Sequence, residues 1–167
     1  MSTRQVASRS RPAALAQRAL DLDPKHVLVI RLVTSVQLRR RDVTSVLEGI
    51  LSGAAVAGLP DQALTDLSQI VAEMRRVYPR VGFFGLTQYM ADAVKDPRLE
   101  FDTFLKLASR RAVLYGDAGR LDEAFDCLDE AIASCDPALV YLAVAPQWDS
   151  LREDPRFGER LKQLALA

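Results

Sequence analysis

Several kinds of side chain in this 167-residue sequence could do chemistry, and their spacing limits each of them. His26 is the one histidine, so a metal site built on it would lack the second and third ligands it needs. A Ser-His-Asp triad could use only His26, and no strand-turn-helix nucleophile elbow accompanies it. It reads as a solvent-facing residue in the first turn of a helix. Cys127 and Cys135 fall on one expected helix, about 12 Å apart along its axis. A disulfide spans about 7 Å between Cα atoms, so the two cannot bridge there. They read as small core residues in a reducing, cytoplasmic setting. Gly82-x-x-Gly85 and Gly116-x-x-Gly119 lack the Lys and Ser/Thr of a phosphate loop, and read as turns. Asp122/Glu123 and Asp129/Glu130 are adjacent pairs that diverge on a helix, giving a solvated face rather than an acid–base couple. The expectation is a chain without catalytic residues, metal or cofactor.

The remaining charge is balanced, 22 basic against 22 acidic side chains, so there is no basic excess of the kind that nucleic acid or a membrane surface recruits. Residues 1–11 carry arginine but no following apolar stretch, unlike a secretory signal. Arg31 interrupts the best apolar run, well short of the roughly 18 residues a spanning helix needs. Apolar residues make up 49% of the chain, enough for a sizeable core.

The elements that position these groups are marked by proline. Pro24, Pro60, Pro97 and Pro137 stand 36, 37 and 40 residues apart, the period of a two-helix unit. Asp23, Asp96 and Asp136 precede three of them, and Asp154-Pro155 repeats the pair. An N-cap Asp accepts a bond from an orphan amide, while proline gives up an amide with no partner. The pattern predicts a flexible tail over 1–11, then an all-α domain over 12–167. It opens with a short helix from Pro12 to about Leu20, with no earlier helix to pair with.

A first hairpin is expected over 25–58, with helices near 26–40 and 43–57. Val27, Val29, Ile30, Val33 and Val36 would suit a strand, but Leu28, Leu32 and Val36 with Val29 and Val33 form one continuous helical stripe. A second hairpin spans 61–95, its first helix stopping at Tyr78-Pro79. Tyr78, Phe83, Phe84 and Tyr89 around that turn read as packing residues. A third covers 98–135. Its first helix runs from Phe101, Phe104 and Leu105 to Tyr115 and closes at Gly116 and Gly119. Its second carries Leu121, Ala124, Phe125, Leu128, Ala131 and Ile132 on one face, with Ala124 and Ala131 small enough for close packing. Short helices at 139–144 and 148–152 follow, then an amphipathic cover at 155–166, with Trp148 and Phe157 docking these terminal pieces.

Ala112, Tyr115, Gly119, Ala124, Leu128 and Ala131, with Pro137 one residue late, resemble the tetratricopeptide repeat, a helical hairpin of about 34 residues. Residues 19–24 are similar to the end of another repeat. Arg111 departs from the pattern, which has a large apolar residue there, and residues 27–95 match in length and rhythm only. The run from Tyr141 through Trp148-Asp149 to Asp154-Pro155-Arg156-Phe157 and Leu161 is similar to the end of repeat regions in bacterial transcription regulators, cyclases and signalling kinases.

The resemblance implies an α-α superhelix of about three hairpins plus capping helices, acting as a non-catalytic scaffold that takes a peptide or partner helix in its concave groove. The alternative it leaves is a ligand-sensing regulatory domain of a bacterial transcription regulator or signalling enzyme. Arg39-Arg40-Arg41, Arg75-Arg76 and Arg110-Arg111 suit helix C-termini as plain surface charge. On repeat alignment, Arg31, Arg75, Lys106 and Arg110 would instead face the groove and pair with an acidic peptide. The expected partner is another protein or peptide, or a second copy in a homo-oligomer, with no direct contact to nucleic acid or membrane.

Overall fold

The computed structural model describes residues 14, 15, 17–99 and 106–166, and among them every regular element is helical. Helix α1 is described over residues 17–22. After it come α2 (Val27–Arg39), α3 (Val43–Val56), α4 (Asp61–Ala93), α5 (Ala108–Asp117), α6 (Leu121–Ala133) and α7 (Pro155–Gln163). Short 3-10 turns occupy Pro97–Leu99, Pro137–Tyr141 and Pro146–Trp148. Two compact units divide between Arg76 and Val77. The expected tail over 1–11, and Phe101, Phe104 and Leu105, lie outside the described residues.

In the first unit α2 packs against α3. The β-branched residues of α2 are helical, and its hydroxyls bond one turn back: Thr34 Oγ1 donates to Ile30 O at 2.9 Å and Ser35 Oγ to Arg31 O at 2.9 Å. Asp42 starts α3 by accepting from both the amide and the hydroxyl of Ser45, at 3.2 and 2.8 Å. The Ser45 hydroxyl, then its amide, holds the Asp42 carboxyl below its ordinary range. The two helices cross where Gly49 meets Thr34, and Ile30, Val46, Leu47, Ile70 and Val71 are buried.

α4 corrects the sequence reading in one respect. Two helices do run through 61–93, but the first continues past Tyr78-Pro79 and the break between them falls at Gly82. Proline removed an amide without ending the helix. The residue that breaks it has φ 66° and ψ −169°, a combination open essentially to glycine alone.

In the second unit α5 packs against α6. Ala112, Ala124 and Ala131 are fully buried, which lets the two backbones approach. The core they share contains Phe125, Leu128, Trp148, Leu151 and Phe157. Burying each of the phenylalanines contributes about 1.5–3 kcal/mol before entropy is counted. Trp148 and Phe157 thus dock the terminal segments, as the sequence suggests. Phe84 does not join a core; its side chain is largely exposed.

Each Asp of the Asp-Pro pairs fastens a local turn, but only one caps an α-helix as the sequence predicts. Asp23, Asp96, Asp136 and Asp154 each accept from the amide two residues on, at 3.3, 2.9, 2.9 and 3.0 Å. Only Asp154-Pro155 opens an α-helix; Asp96 and Asp136 open 3-10 turns, and α2 starts three residues after Pro24. α5 closes with a paired turn in which Gly119 N donates to Gly116 O at 3.0 Å and Arg120 N to Tyr115 O at 2.9 Å. Gly119 takes φ 72°. Gly116, read as part of that turn, is buried inside α5, where a Cβ would come within 2.9 Å of Leu151 Cδ2 and Ser150 Oγ.

Candidate functional site

Of the four cations assigned to one groove, Arg31 and Arg75 belong to the first unit and Lys106 and Arg110 to the second. Arg31 is half-buried on α2, and Arg75 is exposed on α4. Lys106 is exposed but precedes α5, which begins at Ala108. The one-turn helical alignment of Lys106 with Arg110 is therefore not formed. Arg110 is half-buried in the first turn of α5.

Arg31 has apolar company. Leu28 and Leu32, one turn apart on the same helix, remain 66% and 53% exposed, so α2 presents a leucine pair beside a guanidinium. In the second unit a separate apolar patch is formed by Val140, Tyr141 and Val144, all exposed.

The carboxylates of α6 are not a merely solvated face. Asp122 accepts from Arg156 Nη1 at 2.7 Å, Asp129 from Arg160 Nη2 at 2.6 Å, and Glu130 from Arg111 Nη2 at 2.6 Å. Glu123 pairs with Arg120, which also reaches Asp92 at 2.5 Å. That hydrogen bond from Arg120 is the first cause holding the Glu123 carboxyl below its ordinary range. Arg156 and Arg160 also lie over the Phe125 ring, 4.3 and 5.3 Å from its centroid. A signal for this ladder existed in the sequence: Asp122, Phe125 and Asp129 share a face of one helix, and Arg156 and Arg160 share a face of another. Arg111, out of place in the repeat pattern, is accounted for by its bond to Glu130.

Arg156 and Arg98 also return to the Asp that caps their own segment, Arg156 Nη2 to Asp154 at 2.8 Å and Arg98 Nη2 to Asp96 at 2.7 Å. Those side-chain bonds, followed by the amide bonds, depress both Asp carboxyls. Arg152 instead donates to the backbone oxygens of Ala143 and Ala145, at 2.6 and 3.0 Å, fastening the turns before α7.

His26 is exposed at the N-cap of α2, with no side-chain capping bond. Cys127 is buried, and burial pushes its thiol above the ordinary value. Cys135 departs from its expected place: it is exposed, one residue beyond the cap of α6, with φ 53°. Among the described residues, no three His, Cys, Asp or Glu side chains are grouped to hold a metal ion. Nor is any helix among them long and apolar enough to cross a membrane.

The surface of the described residues includes two hollows. One of about 410 Å³ is lined by Asp129, Ile132, Ala133, Glu159, Arg160 and Gln163 between α6 and α7. Its arginine is already held by Asp129 through two bonds. The other, about 430 Å³, lies along α4 beside Leu64, Thr65, Ser68, Gln69 and Ala72. No protein-family model, curated protein or solved structure matches the chain.

Proposed function

We propose that this chain is a non-catalytic protein–protein interaction scaffold that takes a peptide or partner helix on its helical surface. The observation that carries the reading is the exposed Leu28/Leu32 pair on α2 with Arg31 between them. Apolar residues at a one-turn interval beside a cation complement an amphipathic helix with leucine-like anchors and an acidic side chain. The wider groove of Arg31, Arg75, Lys106 and Arg110, the repeat architecture and a cytoplasmic signalling role belong to the same reading.

The test is a panel of acidic amphipathic peptides, with affinity measured by fluorescence anisotropy. Leu28→Ser/Leu32→Ser changes only exposed side chains and should weaken binding at least about tenfold, or about 1.4 kcal/mol. Arg75→Glu/Lys106→Glu, also confined to exposed side chains, should weaken binding and flatten its salt dependence. Affinities unchanged in the leucine variant would overturn the reading; a charge variant that binds normally would remove the groove from it.

A further inference from the structure

α2 is not the only helix of the first unit with leucines turned outward. Leu15 and Leu22 are 61% and 80% exposed, and a spacing of seven puts them on one face of the helix that ends at Leu22. Leu28 and Leu32 stand out of α2 in the same way. Within one chain, then, neither leucine pair covers the other.

The charges beside the two pairs differ in sign. Asp21 and Asp23 are exposed around the end of α1, and with Arg18 they leave residues 15–23 acidic by one charge. Lys25 precedes α2 and Arg31 lies within it, each three residues from Leu28, so residues 25–32 carry two positive charges with His26 neutral. Asp21 accepts from Gln17 Nε2 at 3.1 Å and Asp23 from Lys25 N at 3.3 Å, but an ionised carboxylate has room for about four such bonds, so each can accept more. The α2 face suits leucine anchors beside an acidic side chain, and α1 carries both.

We propose that the occupant of the α2 face is α1 of a second copy of this chain. The pairing is reciprocal: α1 of each protomer lies on α2 of its partner, so a two-fold axis makes the same contact twice. It covers all four leucines and sets the aspartates of one protomer against Lys25 and Arg31 of the other. This rests on the reading of α2 as a binding face and names what binds there.

Sedimentation velocity of the full chain reads the state directly. A monomer–dimer equilibrium with a dissociation constant of about 1–100 μM is expected, as for a small, transient interface. Leu15→Ser/Leu22→Ser and Leu28→Ser/Leu32→Ser change only exposed side chains, and each should raise that constant at least about tenfold. Charge reversal singles out the reciprocal pairing. Asp21→Lys/Asp23→Lys places like charges on both halves of its own dimer, and Lys25→Glu/Arg31→Glu does so with the other sign, so each variant alone should be a monomer where the unaltered chain dimerises. Between the two variants both halves again oppose unlike charges, and an equimolar mixture should recover the dimer. A chain that stays monomeric up to about 500 μM, a dimer indifferent to Leu15→Ser/Leu22→Ser, or a mixture that remains monomeric would overturn the proposal. Should a charge variant not fold, the leucine variants decide alone. The peptide assay keeps the two readings apart. Acidic peptides that bind a monomeric chain and lose affinity in Leu28→Ser/Leu32→Ser would remove only the second copy, whereas a monomer that binds no peptide would remove the binding face as well.

Discussion

At the scale of single residues, helix ends hold the most transferable lesson. α2, α3, α5, α6 and α7 all close with the same pair of backbone bonds, and the residue in the left-handed conformation is Arg41, Gly58, Gly119, Cys135 and Ala165 in turn. A non-glycine side chain there costs about 1–2 kcal/mol, because its Cβ crowds the backbone. Cys135→Gly should therefore raise the unfolding free energy by about 1 kcal/mol, and Gly119→Ala should lower it by about as much. Urea unfolding with unchanged slope measures both; shifts of equal sign in the two variants would contradict the argument. Gly119 was legible in the sequence because glycine advertises the conformation. Arg41, Cys135 and Ala165 were not, since nothing local marks a left-handed arginine, cysteine or alanine.

At the scale of elements, the α2–α3 crossing turns on one contact. A Cβ at Gly49 would lie 2.2 Å from Thr34 Oγ1 and 3.2 Å from Thr34 Cβ. Alanine is the better helix former by about 1 kcal/mol, but overpacking costs about 1–3 kcal/mol, so the clash should win. Gly49→Ala should then lower stability by about 1 kcal/mol, as Thr34 rotates and gives up its bond to Ile30 O. Thr34→Ala in the same chain should recover most of that loss. Additive losses in this double-mutant cycle would show that the two residues do not meet. The period of Leu28, Leu32 and Val36 announced α2 as a helix, but the small residue that admits α3 could be recognised only beside its partner. Likewise, Pro79 looked like a stop because proline disfavours helix, whereas the chain tolerates it and breaks three residues later at Gly82.

At the scale of the whole molecule, the titrating groups set the pH range of stability. Asp42, Asp96, Glu123 and Asp154 all titrate below their ordinary values of 3.8 or 4.5, so their contributions are complete above those values and disappear as pH falls through the depressed range. Burial raises the Cys127 thiol and the Tyr115 hydroxyl above 9.0 and 10.0, so stability also falls as pH climbs past about 9. Thermal unfolding followed by circular dichroism should show a plateau from about pH 5 to 8.5 with losses on both sides. Glu123→Gln should blunt the acid limb, because it removes one of the paired carboxylates; an unaltered limb would show that Glu123 takes no part in it. Most of these groups lie in the second unit, so its acid limb should be the steeper.

By itself the sequence determined what is decided within about four residues: the helical period, the Asp154 cap, the α2 and α3 boundaries and the buried faces around Ala124, Phe125 and Leu128. Those follow from side-chain spacing and local hydrogen bonds, which need no distant partner. Only the tertiary structure decided that Asp122 and Asp129 meet Arg156 and Arg160 across Phe125, that Gly116 is a packing contact with Leu151, and that Cys127 is covered while Cys135 is not. Each of these depends on groups brought together from more than 30 residues away, or on which side of a helix end a side chain falls. No local periodicity specifies that: the same charges on α6 would face water if α7 did not pack where its Phe157 and Leu161 can be covered.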